Sequence, residues 1–435
     1  MSVTPARRAA LETLRAIRQG RLADRVLARA QERLAPRDRA WLQELVYGTL
    51  RLRGRLDHIL DRLVQRGLAS LEPDVLDILR LGAYQLLEMR SVPAYAAVSQ
   101  MVELAKSAGG RGAGALVNGV LHALIRRGGR IEFPDYGRDP VGYLSTWGSH
   151  PRWLVERWVE RYGADGARAL VEANNTRPEL YLRPIGIAVT EAAARLESVG
   201  IRTEPVPFAP DALRVVPPAT AQEALAAVPA VVQDPAAGLV VRYAAVPTGA
   251  RVADLCAAPG GKALGLAERA GYVAAADVSF ERLERVRENA ERIGSLRIGL
   301  VVADARWPAV RTADAVLLDV PCTGTGTFRR HPDGRWRVTP VDLPPLVALQ
   351  REILDAAAPL VRPGGYLIYS TCSLEPEENE AQVEAFLDRH PDFAPAPPPA
   401  GVVAPELLDE AGRLVVLPQA LGVDGAFAAR LRREG

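Results

Sequence analysis

The sequence predicts a multidomain chain: an all-helical region first, then a small α+β unit, then an α/β domain with a parallel sheet. Three observations support this order. Apolar residues recur with helical spacing up to about residue 127, short strands and helices alternate after it, and nearly continuous apolar runs alternate with helices from about Val231. At 435 residues, the chain is long enough for two or three domains.

The first region, residues 1–128, is predicted to be all-helical. Leu11, Leu14 and Ile17 share one helical face, and further stripes of the same period follow them. We find no convincing strand in this region, and the turn-rich stretch GGRIEFPDYGRDP comes after it. These features predict a helical domain that ends near residue 128.

The middle region, residues 141–225, mixes both kinds of element. WGSHPRWLVERWVERYG predicts a short helix, and the order after it is a strand in NNTRPELYLRP, a helix in TEAAARLESVG and strands in IRTEPV and ALRVV. Small α+β units of this kind often present a sheet face to RNA, as RRM-like domains do. A linker domain without a ligand fits the same pattern equally well.

The last region, residues 226–435, contains five apolar runs: ARVADLCA, GYVAAADV, LRIGLVVAD, DAVLLDV and GGYLIYS. Strands with this composition are typical of a parallel sheet that is buried on both faces. A doubly wound, Rossmann-like α/β domain is therefore predicted. Ligands of such sheets bind where the strands end, at their carboxyl edge.

Polar motifs follow the first three of these runs. The loop DLCAAPGGK, from Asp254 to Lys262, opens a helix, and its paired glycines allow a nucleoside to approach the backbone. Asp277 ends the next strand, where its carboxylate can accept the two ribose hydroxyls, and Asp304 follows the third. Each aspartate alone could cap a helix, but three at successive strand ends favour an adenosine ligand. Because the glycines do not spell GxGxxG, S-adenosylmethionine fits better than a nicotinamide.

Two thiols and an acid follow the last two runs. Asp319 and Cys322 lie in LLDVPCTGTG, and Cys372 lies in YSTCS. Both strand ends should face one crevice, beside the predicted methyl donor. A thiolate that adds to C6 of a pyrimidine makes C5 nucleophilic, and a second thiol can assist release of the product. A cysteine more often packs as a small buried apolar residue, but two cysteines at one crevice favour a catalytic role.

The composition limits the remaining possibilities. The formal net charge is +2, so any RNA contact must come from local groups of arginines. Among the 54 basic residues, only Lys106 and Lys262 are lysines, which makes a lysine inside a motif notable. Three cysteines without CxxC spacing predict neither a disulfide framework nor a metal site. Without a long apolar run or a signal peptide, we expect a cytoplasmic protein that does not bind membranes. We also expect it to be a monomer.

The motifs DLCAAPGGK, DVPCTGTG and STCSLEPEENE resemble the signature blocks of RNA cytosine-5 methyltransferases. The stretches ELVYGTLR, ILRLGAYQLL and GALVNGVLHAL resemble the NusB domain. Together they are similar to the bacterial 16S ribosomal RNA cytosine-5 methyltransferase family with an N-terminal NusB-like domain, over nearly the whole chain. The resemblance implies a class I methyltransferase fold for residues 226–435 and 16S ribosomal RNA as the substrate.

The resemblance also implies roles for individual residues. Cys372 would be the nucleophile that adds to C6, and Cys322 would help to release the product. Asp319 would hold N3 of the base, and Lys262 would lie near the reacting centre. The residues that would hold S-adenosylmethionine are Cys256, Ala257, Ala258, Pro259, Gly260, Gly261, Lys262, Asp277, Asp304 and Asp319.

Three other functions remain open at this stage. The first is an RNA-binding or assembly protein with an inert methyltransferase fold, which the two thiols argue against. The second is the same chemistry on transfer RNA. The third is an amino-group methyltransferase, which should read Asn or Asp followed by Pro-Pro-Tyr where this chain has DVPC. For RNA contact, the helical region offers Arg7, Arg8, Arg15, Arg18, Arg21, Arg126 and Arg127.

Overall fold

The computed structural model describes residues 3–127, 130–294 and 297–435. The described residues form two compact units: one runs to Thr176 and includes Phe328–Val338, and the other contains Arg177–Thr327 and Thr339–Gly435. Residues 1 and 128, the bounds of the first predicted domain, lie outside the described residues, as does residue 129 in the predicted turn segment. Within the described ranges, no helix is long and apolar enough to cross a membrane.

The N-terminal stretch of the first unit is helical, as the sequence predicts. Proline stands in the first turn of several of its helices, where its fixed φ suits the helix and its missing N–H costs nothing. Leu42, Leu45 and Leu56 are fully buried in the shared apolar core. The helices are α1 Pro5–Arg18, α2 Ala23–Glu32, α3 Pro36–Arg51, α4 Arg53–Asp61, α5 Pro73–Leu87, α6 Ala94–Arg127, α7 Pro140–Thr146 and α8 Arg152–Asn174.

Helix α8 is longer than the short helix that the sequence predicts. It is interrupted at Gly163, whose φ of +71° is accessible mainly to glycine. The apolar periodicity resumes after this kink with Ala167, Leu170 and Val171, all of which are buried. The predicted helix therefore continues as a second segment of α8 up to Asn174.

A four-stranded antiparallel sheet begins the second unit. Its order is β2-β3-β1-β4, and its core includes Leu182, Leu213 and Ala230. The sequence predicts the first three strands and the first helix but does not single out α10 or β4. The elements are β1 Leu180–Pro184, α9 Val189–Ser198, β2 Thr203–Pro205, β3 Leu213–Val215, α10 Ala221–Ala227 and β4 Ala230–Val232.

The rest of the second unit alternates strands with helices. All five predicted apolar runs form strands, β5 to β9. The elements of this region are α11 Pro235–Ala244, β5 Arg251–Asp254, α12 Gly261–Ala267, β6 Tyr272–Asp277, α13 Phe280–Ile293, β7 Ile298–Val302, β8 Ala313–Asp319, α14 Gly334–Arg337, α15 Leu343–Ala357, β9 Val361–Thr371, α16 Glu380–Arg389, β10 Phe393–Pro395, β11 Leu414–Val416, α17 Pro418–Leu421 and β12 Ala426–Arg433. Of these, α14 belongs to the first unit.

The large sheet has the order β10-β12-β9-β8-β5-β6-β7, with β11 paired to β12. Strands β5 to β9 are parallel to one another, and β12 is antiparallel to β9. Apolar cores cover both faces of the sheet, as the strand composition predicts. The carboxyl ends of β5, β6, β7, β8 and β9 therefore meet at one edge, where the predicted site residues lie.

The segment Phe328–Val338 follows the DVPCTGTG motif in sequence but packs within the first unit. Its Arg335 is fully buried and donates hydrogen bonds to the carbonyl oxygens of Arg51, Asn174 and Phe328, at 3.0–3.2 Å. The indole N–H of Trp336 donates to the Leu50 carbonyl at 2.6 Å. The first unit is therefore built from two separate stretches of the sequence.

Candidate active site

The loop from β5 to α12 carries the DLCAAPGGK motif. Gly260 has a φ of +104°, and a Cβ on it would lie 3.0 Å from Val286. A Cβ on Gly261 would lie 2.8 Å from the Gln233 amide. Glycine at both positions therefore lets the backbone approach Val286 and the Gln233 side chain closely.

Two of the predicted aspartates follow β6 and β7. Asp277 is buried, and its carboxylate accepts hydrogen bonds from the backbone N–H groups of Ala258 at 3.2 Å and Ser279 at 3.0 Å. Asp304 binds Arg306 at 2.7 Å, and hydrogen bonds from Arg306 lower the pKa of this aspartate. Asp277 thus joins the β5–α12 loop to the end of β6, and its carboxylate lies 3.5 Å from the Arg282 guanidinium.

A cavity of about 460 Å³ opens at this edge of the sheet. Its volume lies within the usual range of small-molecule sites, about 300–1,000 Å³. Ala257, Pro259 and Gly260 lie in the adjoining loop, and Gly261 and Lys262 are the first residues of α12. The predicted site residues that line the cavity are Cys256, Ala258, Asp277, Asp304, Asp319, Cys322 and Cys372.

The two predicted catalytic thiols meet at the rim of this cavity. Cys322 follows the end of β8, Cys372 follows the end of β9, and their sulfur atoms are 3.4 Å apart. The hydrogen bond to Cys372, and then burial, raise the pKa of Cys322 well above its usual value. Cys256 lies in the β5–α12 loop, and burial and then the charge of Asp254 raise the pKa of its thiol.

Lys262 and Asp319 form an ion pair beside the thiols. The Lys262 Nζ lies 2.8 Å from Asp319 Oδ2, and the Ser370 hydroxyl donates to the other carboxylate oxygen at 2.9 Å. Burial alone would lower the pKa of Lys262, but the charge of Asp319 and the hydrogen bond to it raise this pKa. Lys262 therefore remains an ammonium in contact with the carboxylate at the end of β8.

A buried polar network that the sequence reasoning missed holds the two cysteine loops together. Glu378 is fully buried and accepts hydrogen bonds from the Thr323 backbone N–H and from the Gln350 amide, both at 2.9 Å. The hydroxyls of Thr323 and Ser373 are 3.1 Å apart. Glu378 lies in the acid-rich stretch EPEENE after Cys372, and this stretch was the available signal in the sequence.

The donor set of this edge fits S-adenosylmethionine. The cofactor carries an ammonium, ribose hydroxyls and an adenine ring, which need acceptors and an apolar wall. Asp277 and Asp304 supply carboxylate acceptors, and Val278 and Ile353 supply apolar surface. Asp254 Oδ2 is buried without a hydrogen-bond partner among the described residues. The residues that the structure describes contain no group of three or more His, Cys, Asp or Glu that could hold a metal ion.

Several arginines that the sequence offered for RNA are engaged within the helical unit. Arg7 is buried, donates to Gln85 at 2.8 Å and lies over the ring of Trp41. Arg15 and Arg18 both bind Asp74 at 2.7 Å. The prediction is therefore wrong for Arg7, because a side chain inside the core does not reach a phosphate. The exposed members of the set are Arg8, Arg18, Arg21, Arg126 and Arg127.

Three family models match the chain. The model for 16S rRNA methyltransferase RsmB/F matches residues 245–432, and the NusB family model matches residues 4–126. The ferredoxin-like domain model of RsmF/B-like methyltransferases matches residues 150–222. These matches confirm the predicted fold classes of the helical, α+β and α/β regions.

Individual proteins are similar over most of the length. The probable ribosomal RNA small subunit methyltransferase B of Bacillus subtilis (strain 168) is 33% identical, and the match covers all of both chains. The ribosomal RNA small subunit methyltransferase B of Salmonella typhi is 37% identical over 87% of this chain and 88% of its own. The crystal structure of PH0851 has a TM-score of 0.80 at 27% identity, with full coverage of both chains.

These findings agree with the geometry at the edge of the sheet. A methyltransferase model covers all the strand ends that form the cavity, and its match confirms the prediction that S-adenosylmethionine is the cofactor. The NusB and ferredoxin-like matches account for the regions before it. Full-length similarity at 33% identity extends this agreement to the whole chain. The chain therefore belongs to the RsmB/F family of 16S rRNA methyltransferases.

Proposed function

We propose that this protein methylates C5 of a cytosine in 16S ribosomal RNA through a covalent bond between Cys372 and C6 of the base. One observation carries the proposal: the Cys322 and Cys372 sulfur atoms lie 3.4 Å apart at the rim of the cofactor cavity. Methylation of an amino group needs no thiol, whereas methylation of a pyrimidine carbon needs a nucleophile that activates C5. Two thiols at this edge therefore favour the carbon as the target.

The reaction begins when the Cys372 sulfur adds to C6 and the electron pair of the C5–C6 double bond shifts towards C5 and the ring. S-adenosylmethionine, when bound, supplies the methyl group for C5. Water takes the C5 proton, the electron pair of the C5–H bond re-forms the C5–C6 double bond, and the C6–S bond breaks with the Cys372 thiolate as the leaving group. Cys322 assists this elimination, because the raised pKa keeps it a thiol that can donate a hydrogen bond to the leaving sulfur.

The Lys262–Asp319 pair would hold the base. The Lys262 ammonium donates to Asp319, and a carboxylate accepts hydrogen bonds through both of its oxygens. Asp319 would therefore bind the C4 amino group or a protonated N3, and it would stabilise the addition of Cys372 at C6. Ser370 donates to the other carboxylate oxygen and fixes the orientation of the group. Lys262 thus acts next to the reacting atoms, in contact with Asp319.

The nature of the substrate rests on the relatives. The two similar enzymes are named for the small ribosomal subunit RNA, and we extend that substrate to this chain. We propose three domains for it: residues 1–128 and 141–225 contact RNA, and residues 226–435 bind S-adenosylmethionine and carry out the chemistry. We also propose that the protein acts in the cytoplasm as a monomer.

The decisive experiment uses the Cys322→Ala variant. If Cys322 assists only the elimination, this variant still adds to C6 and accepts the methyl group, but it stalls before release. We expect a protein–RNA adduct that survives denaturing electrophoresis when the variant is incubated with a 16S ribosomal RNA fragment and S-adenosylmethionine. The target base must leave its stack at a cost of a few kcal/mol, so a looped RNA should react faster than a continuous duplex.

The controls separate the roles of the two thiols. Cys372→Ala should lose methyl transfer but still bind S-adenosylmethionine, and Cys322→Ala/Cys372→Ala should form no adduct. An adduct in the double variant would mean that the nucleophile is another residue. Normal turnover by Cys322→Ala would reduce that thiol to a packing role. Bisulfite sequencing of the wild-type product identifies C5 methylation, and a transfer RNA substrate run in parallel tests the RNA class.

A further inference from the structure

A second cavity, of about 300 Å³, lies within the helical unit and is distinct from the cofactor cavity. We call it the arginine cleft, and define it by Arg18, Arg21, Thr49, Arg53, Arg80, Trp336 and Arg337. Asp77 and Asp333 also line it, so its wall carries five guanidinium groups against two carboxylates. Guanidinium groups bind phosphate oxygens with paired hydrogen bonds, so this wall suits a phosphate.

The carboxylates do not neutralise all of these arginines equally. Arg80 binds both oxygens of Asp57, at 2.7 and 2.8 Å. Arg53 reaches the same carboxylate only at 3.8 Å, and burial, followed by the neighbouring Arg80 cation, lowers the pKa of Arg53. Arg21 is exposed and has no ion-pair partner among the residues that the structure describes. Arg21 and Arg53 are therefore the cations with the most to gain from an added anion.

Thr49 supplies an independent sign of a ligand. Its side chain is 1% exposed, and its hydroxyl has no hydrogen-bond partner in the described parts of the chain. A threonine inside a helix normally donates to the carbonyl four residues earlier, as Thr13 does to Ala9 at 2.8 Å. An unpaired buried hydroxyl costs about 1–3 kcal/mol. A phosphate oxygen in the cleft would accept the Thr49 hydrogen bond and remove that cost.

Trp336 gives the cleft an aromatic wall. Its indole N–H is held by the Leu50 carbonyl at 2.6 Å, and the Arg53 guanidinium lies 5.2 Å from the ring centroid. A fixed aromatic ring beside arginines is the combination that binds a stacked base and its phosphate in single-stranded RNA. The volume of the cleft is larger than a lone phosphate requires and suits a nucleotide.

We infer that the arginine cleft binds one nucleotide of the substrate RNA, with the phosphate on Arg21, Arg53 and Thr49 and the base towards Trp336. The inference rests on the proposed function for the identity of the RNA, and it adds a binding site that shares no lining residue with the cofactor cavity. The cleft would raise affinity for RNA without touching the reacting atoms. Its loss should therefore raise KM and leave kcat unchanged.

The test compares Arg21→Ser and Thr49→Val with a matched control, Arg8→Ser. Arg8 lies on α1, is exposed like Arg21 and does not line the cleft. We expect Arg21→Ser and Thr49→Val to weaken binding of a 16S ribosomal RNA fragment by about three- to tenfold, and Arg8→Ser by less than about twofold. Arg21→Ser should also reduce the slope of log Kd against log salt by about one. Thr49→Val should not lower the melting temperature, because it removes no hydrogen bond.

Two results would overturn the inference. One is an equal loss of affinity in Arg8→Ser and Arg21→Ser together with wild-type affinity in Thr49→Val, which would show only a diffuse charge effect. The other is tight binding of ATP that the variants abolish while RNA affinity stays unchanged, which would assign the cleft to a free nucleotide. Kd is measured without S-adenosylmethionine, so the test stands even if the wild-type chain methylates no RNA. Absence of methylation by the wild-type chain would count against the proposed function and not against the arginine cleft.

Discussion

At Lys262, an ammonium group contacts a carboxylate beside the proposed nucleophile. A guanidinium is larger and planar, and it disperses its charge over three nitrogens. We therefore expect Lys262→Arg to misplace Asp319 and to lower the single-turnover rate of methylation by about ten- to a hundredfold, which corresponds to about 1.4–2.8 kcal/mol. Rapid-quench measurement of methyl incorporation checks this expectation.

Lys106 provides the matched control, because it is the other lysine in the chain. It is exposed and pairs with Glu103 on the surface of the helical unit. Lys106→Arg should keep the wild-type rate. Equal rates for both arginine variants would show that the site needs a positive charge and not an ammonium in particular.

Asp254 makes the stability of the second unit depend on pH. Burial, and then the charge of Asp319, raise the pKa of Asp254 to about 8. The folded protein then binds this proton more tightly than the unfolded chain. The contribution of Asp254 to the free energy of unfolding is therefore fully present below about pH 4 and is lost as the pH rises through about 8. Asp254→Asn removes this dependence. Between pH 6 and pH 9, wild type should lose about 2–3 kcal/mol relative to the variant in urea unfolding. The prediction is contradicted if the free energies of unfolding of wild type and Asp254→Asn change with pH in the same way.

The sequence was informative about residues that follow strands and much less so about charged residues on helices. Cys322 and Cys372 could be placed together because parallel strands end at one edge of a sheet, and the structure brings their sulfurs to 3.4 Å. Arg7 could not be placed in the same way. Its burial depends on which face of α1 meets α5, where Gln85 lies, and the side-chain period alone does not give that partner.

At the scale of elements, apolar runs that are buried on both faces were easy to recognise. Strands β5 to β9 all fall on predicted runs. A strand of a parallel sheet is covered on both faces, so nearly all of its side chains are apolar and the run is visible in the sequence. Strand β4 was not singled out. It spans only Ala230–Val232 and pairs with β1 far back in the sequence. A three-residue segment carries little periodicity, so such pairing is fixed by tertiary contacts.

Buried polar groups form the second kind of element that sequence reasoning missed. The stretch after β9 contains four glutamates within EPEENE, and one of them, Glu378, is fully buried beneath the two cysteine loops. Its partners Thr323 and Gln350 come from the β8 loop and from α15. The hydrogen bonds that pay for this burial join three separate stretches of sequence, so no single stretch reveals them.

At the scale of the whole molecule, the helical unit is discontinuous in sequence. Residues 328–338 lie within the range matched by the methyltransferase model, yet they belong in space to the helical unit. Arg335 is fully buried there and binds five oxygens, none of them a carboxylate among the described residues. A variant that lacks the N-terminal helices would therefore expose Arg335 and its neighbours. Substitutions in the arginine cleft test RNA binding more cleanly than such a deletion.

Because the helical unit is built from two separate stretches of sequence, we predict that the second stretch can bind the first when it is supplied as a separate peptide. A fragment of residues 3–176 lacks the segment that supplies Arg335 and Trp336, so we expect it to bind a synthetic peptide of residues 328–338. At a peptide concentration about 100 times Kd, linkage stabilises the fragment by about 2.7 kcal/mol, which is roughly 5–10 °C in melting temperature. Circular dichroism during heating measures this shift. The Arg335→Ala peptide is the control, and we expect it to give less than about 1 °C, because the carbonyls of Arg51, Asn174 and Phe328 lose their common donor. A folded fragment that both peptides leave unchanged would show that the N-terminal helices are stable without the returning segment.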